Sequence, residues 1–374
     1  MNLTGIESQT QNLRSRYRGC LLAGAVGDAL GAPIEMMSLS EIRKQFGEGG
    51  LTTLAPAYGG IGMITDDTQM SLFTAEGLLR AQARQNDRGL CNPQWIIKRA
   101  YFRWLMTQGV EAPEDEMPVK PESSWLFNVP ELHARRLPGT TCLTSLQRPQ
   151  GKFKEDSLVA KNNSKGCGGV MRVAPVGLFL AGPGSIPHGN HANYVRQDFS
   201  FAGKISLLTH GHPLSTLSSG AMASLVHLLV WEKSLPEAIS IVKELLGESD
   251  DGMVIWRLLV QASDLAASKL SSAEAIKKLG EGWVAEEALA IAVYACLRGS
   301  TLEEALLIAV NHDGDSDSTG SIAGNLMGAW HGVEAIPRRW REKLELVEVI
   351  GQVADDLLDY HGWEQEDWAR YPPY

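Results

Sequence analysis

The sequence predicts an all-α protein, and three observations carry that expectation. Segments such as "MSLFTAEGLLRAQAR", "GAMASLVHLLVWEKS", "AEEALAIAVYACLRG" and "TLEEALLIAVNH" place apolar residues at three- and four-residue intervals. Ala and Gly lie between them, small enough to let helices approach closely in a compact bundle. No series of alternating strands and no βαβ rhythm interrupts the pattern.

At 374 residues the chain can hold one large core or two ordinary ones. Hydrophobic residues at 44% against 21% charged describe a globular protein rather than a disordered one. The net charge of −10 argues against general nucleic-acid binding, which needs a basic face. It leaves open a small anionic ligand held by backbone groups. The five cysteines (Cys20, Cys91, Cys142, Cys167, Cys296) form no C-x-x-C pair and suit free thiols in a reducing cytoplasm. The longest apolar run after the N-terminal region, "GAMASLVHLLVW", falls short of the ~20 residues of a membrane span. A soluble, cytoplasmic protein is expected.

Along the chain, residues 1–15 are polar and without periodicity, and are expected as an extension outside the core, with residues 16–374 as a single domain. Next, "GAVGDALGAPIE" (24–35) carries glycines that permit close backbone approach, and Glu35 near the end of a helix-like run. A lone Glu there is usually solvent-facing. Asp28, inside so apolar a run, must be hydrogen-bonded or paired if buried. The segment from 108 to 165 is dotted with Pro, Gly and charge. It exceeds the ~12–15 residues usual for a structureless loop, so it is partly helical, functional, or both.

The chemistry concentrates in two acidic knots. In "GIGMITDDTQMSLFTAEGLL", Thr65, Asp66, Asp67 and Thr68 stand where a Gly-rich loop turns into a helix. Asp66 with Gln69 three residues on resembles a capping box, and acids there favour the macrodipole; metal binding is the other reading. In "NHDGDSDSTGSIAGN", Asp313, Asp315 and Asp317 fall within five positions. An EF-hand fails, because its sixth position is Ser318 where Gly is needed and its twelfth is Gly324 where Glu is needed. Capping alone is strained as well, since one helix start needs one or two acceptors rather than three carboxylates. Two such starts in one chain, with hydroxyls interleaved, suggest convergence on hard cations such as Mg²⁺ or Mn²⁺. Two weaker motifs remain. Gly166, Gly168 and Gly169 in "NNSKGCGGVMRVAP" could offer backbone N–H groups to a phosphate. His210 and His212 in "THGHP" precede a helix, where capping or core packing is the ordinary fate of either one.

Together and in this order, "GDALGAPIE", "TDDTQM", "KGCGGVMRVAP", "THGHP" and "GDSDSTGSIAGN" resemble the ADP-ribosylglycohydrolase family, which includes the dinitrogenase-reductase-activating glycohydrolases. The resemblance implies an orthogonal helical bundle with two divalent cations, Mg²⁺ or Mn²⁺, in one cleft. It implies removal of ADP-ribose from a modified protein side chain, most often arginine. One metal would take Thr65, Asp66 and Asp67; the other would take Asp315 and Ser318, with Asp317 bridging. Glu35 would be the acid/base beside them, with Asp67 counted as catalytic too. The glycine loop at 166–169 and His210 would hold the distal part of the substrate. Ser316 and Ser318 replace the Thr of many members but keep the hydroxyl oxygen. Asp313, one step outside the pattern, would be a cap or an outer acceptor.

Two alternatives stand beside this reading. The chain could be an immunity protein that engages an ADP-ribosyltransferase toxin through residues 1–15 as well as reversing its modification. It could also bind ADP-ribosyl groups without catalysis, although every implied ligand position still carries oxygen.

Overall fold

In a computed structural model the structure describes residues 3–113, 120–148, 158–182 and 191–373. Helix dominates as expected, with sixteen α-helices and several short 3-10 turns among the described residues. The only strand ladder among them is a two-residue hairpin, Pro56–Ala57 against Gly60–Ile61. Helix starts follow local chemistry. Ser38 with Glu41, Ser234 with Glu237 and Ser271 with Glu274 each close a capping box. Asn92 caps the helix Pro93–Thr107, whose first residue is the proline that best tolerates that position.

The architecture turns on one long-range pair. The first helix, Leu3–Gly31, lies against the helix Ser316–His331 along facing glycines. A Cβ on Gly27 would fall 2.0 Å from the Gly320 carbonyl oxygen, and one on Gly328 would fall 2.0 Å from that of Gly19. Only backbones without side chains can meet this closely. Asn325 fixes the register by donating from Nδ2 to the Cys20 carbonyl at 2.8 Å. The helix Asp66–Arg88 is held instead by buried charge: Glu76 accepts from Arg80 Nε at 3.0 Å and from Arg103 Nε at 3.1 Å. One hydrophobic cluster runs through these helices.

The N-terminal residues depart from the expected extension. The first helix already starts at Leu3 and passes residue 15 without a break. Leu13 is buried, Arg14 donates to Asp359 at 2.7 and 2.9 Å, and Ser15 bonds Glu334. The polar composition reflects a helix with one narrow buried stripe. Pro213–Val230 is one helix long and apolar enough to cross a membrane, but 83% of it is buried in the protein, as befits a core helix. All five cysteines are free thiols. The segment from 108 to 165, among its described residues, forms the helix Thr140–Gln147 and two 3-10 turns.

Candidate functional site

A cavity of about 210 Å³ opens where the first helix, the Asp66 helix and the Ser316 helix begin or end together. Glu35, Asp66, Asp67, Asp315, Asp317 and Ser318 all line it, and no Lys or Arg among the described residues does. The two acidic knots, far apart in sequence, thus meet. Gly31 makes the meeting possible, since a Cβ there would lie 2.2 Å from the Asp317 backbone nitrogen.

The Asp66 helix is capped by Thr65, whose Oγ1 accepts from the Asp67 N–H at 3.3 Å. The expected capping box of Asp66 with Gln69 is therefore absent. Gln69 is drawn away by tertiary partners: its amide donates to the Ala134 carbonyl, and its oxygen accepts from Trp104 and Gln108. Thr65 itself does not line the cavity. Behind it sits Asp28, fully buried, whose carboxylate accepts from the Thr65 and Thr68 N–H groups at 3.0 and 3.1 Å and from the Thr68 hydroxyl. Its burial is thus compensated as the sequence required. Freed from capping, Asp66 accepts only the Gly139 N–H, at 3.3 Å, and Asp67 Oδ1 is buried with no partner among the described residues.

In the second knot Asp315 is the N-cap, accepting from the Ser318 N–H at 3.3 Å on one oxygen and from the Cys167 thiol at 2.7 Å on the other. Asp317 stands in the first turn, with its own Oδ1 near the Ser318 N–H at 3.0 Å. Asp313 serves another helix, accepting the Leu39 N–H at 2.7 Å, in keeping with a cap. Glu35 follows the first helix in a turn rather than pointing freely to solvent, and its Oε2 is buried with no partner among the described residues.

Electrostatics show what this assembly lacks. Burial, then the charges of Asp315 and Asp28, push Glu35 up to about 7. Burial raises Asp28 to about 6 despite its donors. Burial first, and then the charges of neighbouring acids, Asp28 and Asp315 in every case, displace Asp66, Asp67 and Asp317 upward. Such a cluster calls for positive charge. Carboxylates and a hydroxyl are the oxygen donor types that hard divalent cations take, and two of the oxygens face no competing partner, although among the described residues no three of these acids stand close enough together, as placed, to hold one ion.

The far wall comes from the glycine loop and the helix Thr140–Gln147. Gly166 and Gly168 line the cavity with His210, Thr140, Thr141 and Cys142. A Cβ on Gly168 would meet Cys142 Sγ at 2.9 Å and His210 Cε1 at 3.0 Å. Gly169 does not line it; its missing side chain makes room for the Ser206 and Ser215 hydroxyls. The loop is zipped to the opposite edge by Cys167 N–H to the Trp283 carbonyl at 3.2 Å and Ala285 N–H to the Lys165 carbonyl at 2.8 Å. Burial, and secondarily Arg172, lower His210 to about 3, so it is neutral; Thr209 Oγ1 lies 2.8 Å from its Nδ1. His212 instead caps the helix Pro213–Val230.

Sequence reasoning missed Leu137, Gly139 to Cys142, Trp283 and Cys167 as cavity residues. The only warning for the first group was the unusual length of the segment from 108 to 165. A larger cavity of about 400 Å³ lies beyond Trp283, but two of the three acids lining it are already engaged: Asp313 as above, and Glu287 by the N–H groups of Glu281 and Gly282.

The chain is similar to known proteins along most of its length. The chain is 26% identical to the ADP-ribosyl-[dinitrogen reductase] glycohydrolase of Rhodospirillum rubrum, over 90% of this chain and 92% of that one. It is 22% identical to the ADP-ribosylarginine hydrolase Tri1 of Serratia proteamaculans, over 92% and 79% respectively. A solved ADP-ribosylglycohydrolase-related protein complex superposes with a TM-score of 0.64 at 25% identity, covering 93% of this chain and 98% of that one. With the ADP-ribosylglycohydrolase profile running from residue 9 to residue 366, through every motif that meets in the cavity, the chain belongs to the ADP-ribosylglycohydrolase family.

Proposed function

We propose that the protein hydrolyses the bond between ADP-ribose and a modified protein side chain, arginine first, using two divalent cations, Mg²⁺ or Mn²⁺. One observation carries this reading: five carboxyl groups converge on one cavity without a Lys or Arg among the described residues, and two of their oxygens are buried unpartnered there. Asp66 and Asp67 on one side, with Asp315, Asp317 and Ser318 on the other, are the donors for the cations. Thr65 contributes by its cap and its position, since its hydroxyl is already engaged by Asp67. When bound, the ions would orient ribose hydroxyls and acidify water.

The chain's own residues do the rest. Glu35, held near 7, is in the range where a carboxyl both gives and takes a proton at neutral pH. It donates to the departing nitrogen or oxygen as the sugar acquires oxocarbenium character, or accepts from the attacking water. The Gly168 N–H, on the cavity wall, is the one the loop offers to the pyrophosphate, whereas the Gly166 and Cys167 N–H groups are spent inside the protein and Gly169 closes the 3-10 turn away from the cavity. Neutral His210 supplies a hydrogen bond rather than charge. Arginine linkage is favoured because an acidic cleft draws a cationic guanidinium, and because a relative bears that activity in its name. A transferase-binding arm has less room than the polar N-terminus suggested, since residues 12–15 hold the body of the protein.

The test is incubation with arginine-linked and serine-linked ADP-ribosyl proteins, with Mg²⁺ or Mn²⁺ and again with chelator. Metal-dependent release of ADP-ribose from the arginine-linked protein is expected. Binding of ADP-ribose with no release from either substrate would favour the non-catalytic alternative.

A further inference from the structure

Three of the five non-glycine residues with positive φ among the described residues belong to segments bordering the acidic cavity: Met36 (67°), Tyr58 (50°) and Leu137 (48°). All three are large, apolar or aromatic, and exposed. Met36 directly follows Glu35, and Leu137 lines the cavity itself. Tyr58 stands beside the same wall: Arg136, whose guanidinium lies near its ring, directly precedes Leu137.

Turn chemistry does not ask for a tyrosine. Tyr58 and Gly59 (φ 50° and 86°) are the two-residue loop of the hairpin, where positive φ at both positions calls for Asn, Asp or Gly. A bulky side chain in that conformation costs energy and is kept where the surroundings enforce it, commonly at functional sites. Here the surroundings are rigid. The Arg136 guanidinium lies 5.8 Å from the Tyr58 ring centre, and both its terminal nitrogens are held by Glu345. Arg136 also donates to the Ile64 carbonyl at 2.6 Å, while the Glu345 N–H donates to Gly62, tying the hairpin down. The ion pair neutralises Arg136, so the rim adds no positive charge to repel a cationic substrate.

Resting on the reading above, the ADP portion occupies the wall of Gly166, Gly168 and His210, and the scissile bond lies at the carboxylates. The residue that carries the ADP-ribose then leaves past Glu35. We propose that Tyr58, with Leu137 and Met36, forms an aromatic and apolar rim that grips the aliphatic stem and planar head of a modified arginine within a polypeptide. The rim is a specificity device for protein-borne ADP-ribose. Tyr58 already holds one guanidinium near its ring, the chemistry that a second would use.

The test compares wild type, Tyr58→Ala, Tyr58→Phe and Leu137→Ala. Steady-state kinetics are measured on an arginine-ADP-ribosylated protein, and calorimetry measures binding of free ADP-ribose, both with Mg²⁺. Tyr58→Ala should raise KM for the protein about tenfold, the size of one lost interface anchor, with a much smaller change in kcat. Tyr58→Phe keeps the ring and should recover most of that loss; Leu137→Ala should share the KM effect. Affinity for free ADP-ribose should hold in both Tyr58 variants. Equal losses on protein and free ADP-ribose would overturn the rim, as would a Phe variant as impaired as the Ala variant, or an Ala variant with unchanged KM. If wild type releases no ADP-ribose at all, the functional reading has failed by itself. The rim is then judged by binding alone: a wild type that prefers an ADP-ribosylated arginine peptide over free ADP-ribose, with the preference lost in Tyr58→Ala, upholds it, and no preference refutes it.

Discussion

A methyl group added to Gly31 would lie 2.2 Å from the backbone nitrogen of Asp317 and 2.3 Å from its Cα. The end of the first helix and the start of the Ser316 helix are thus in backbone contact at the point where an acid enters the cavity. Gly31→Ala should destabilise the protein by about 1–3 kcal/mol, the usual cost of overpacking, and weaken Mg²⁺ affinity by moving Asp317. Gly351→Ala is the control: a Cβ there meets nothing within 4 Å inside a helix, so stability should hold or rise by about 0.5–1 kcal/mol. Thermal melts with cation titration check both, and equal behaviour of the two variants would disprove the contact's importance.

Glu35→Gln should lower turnover about 10²–10⁴-fold, the range for a lost general acid or base, while the fold persists. Single-turnover rates with saturating Mg²⁺ separate this from weaker cation binding. Turnover close to wild type would assign the proton transfer to another group.

Asp67→Asn removes one charge from a cluster whose members raise one another's pKa. The variant should melt higher than wild type in chelator, by about 1–2 °C for each kcal/mol of relieved repulsion, yet lose the gain that Mg²⁺ confers. A lower melting temperature in chelator would mean that Asp67 is structural.

The pH dependence has a definite sign. Asp28 and Glu35 sit at about 6 and about 7 in the folded protein, against 3.8 and 4.5 for the free side chains. The folded state keeps protons that the unfolded chain has lost. Their stability is complete below about pH 4 and disappears as pH rises through the folded values. In chelator the melting temperature should fall between about pH 4 and 7, and the increment from Mg²⁺ should grow over the same span as binding displaces protons. A flat profile in chelator would contradict the shifts.

Leu13 is buried and Arg14 and Ser15 are bonded, so deletion of residues 1–15 should lower stability rather than leave it unchanged. Leu13→Ala alone should cost about 2 kcal/mol, at the low end for a core leucine near the surface. Denaturant melts of the full chain and both variants decide this.

Much of the helical architecture and the meeting of the acids could be read from the chain. Repeated apolar periodicity marks helices, and three aspartates in five positions exceed what one helix start can use. The Asp66–Gln69 pairing misled because a local pattern cannot weigh tertiary competitors; Gln69 has three, and Thr65 was the better-placed cap. Gly169 looked like its neighbours because glycine is chosen alike for facing a ligand and for admitting the Ser206 and Ser215 hydroxyls. Trp283 and Thr140 to Cys142 carry no spacing signature, since they reach the cavity singly through long-range docking. The N-terminal polarity hid a helix whose buried stripe includes Leu13, Tyr17 and Cys20, at intervals of four and three.

The glycine-lined pair of helices also sets an order of events during synthesis. The first helix emerges early, but its partner begins at Ser316, near the far end of the chain. At about 5–20 residues per second, roughly 15–60 s separate the two on the ribosome. Throughout that interval the exposed glycine face of the first helix has no native surface to meet, and Asp66 and Asp67 have no opposing acids. A nascent chain truncated before residue 315 therefore has half of the acidic cavity, and any ligand of the cleft must arrive after the backbone is essentially assembled.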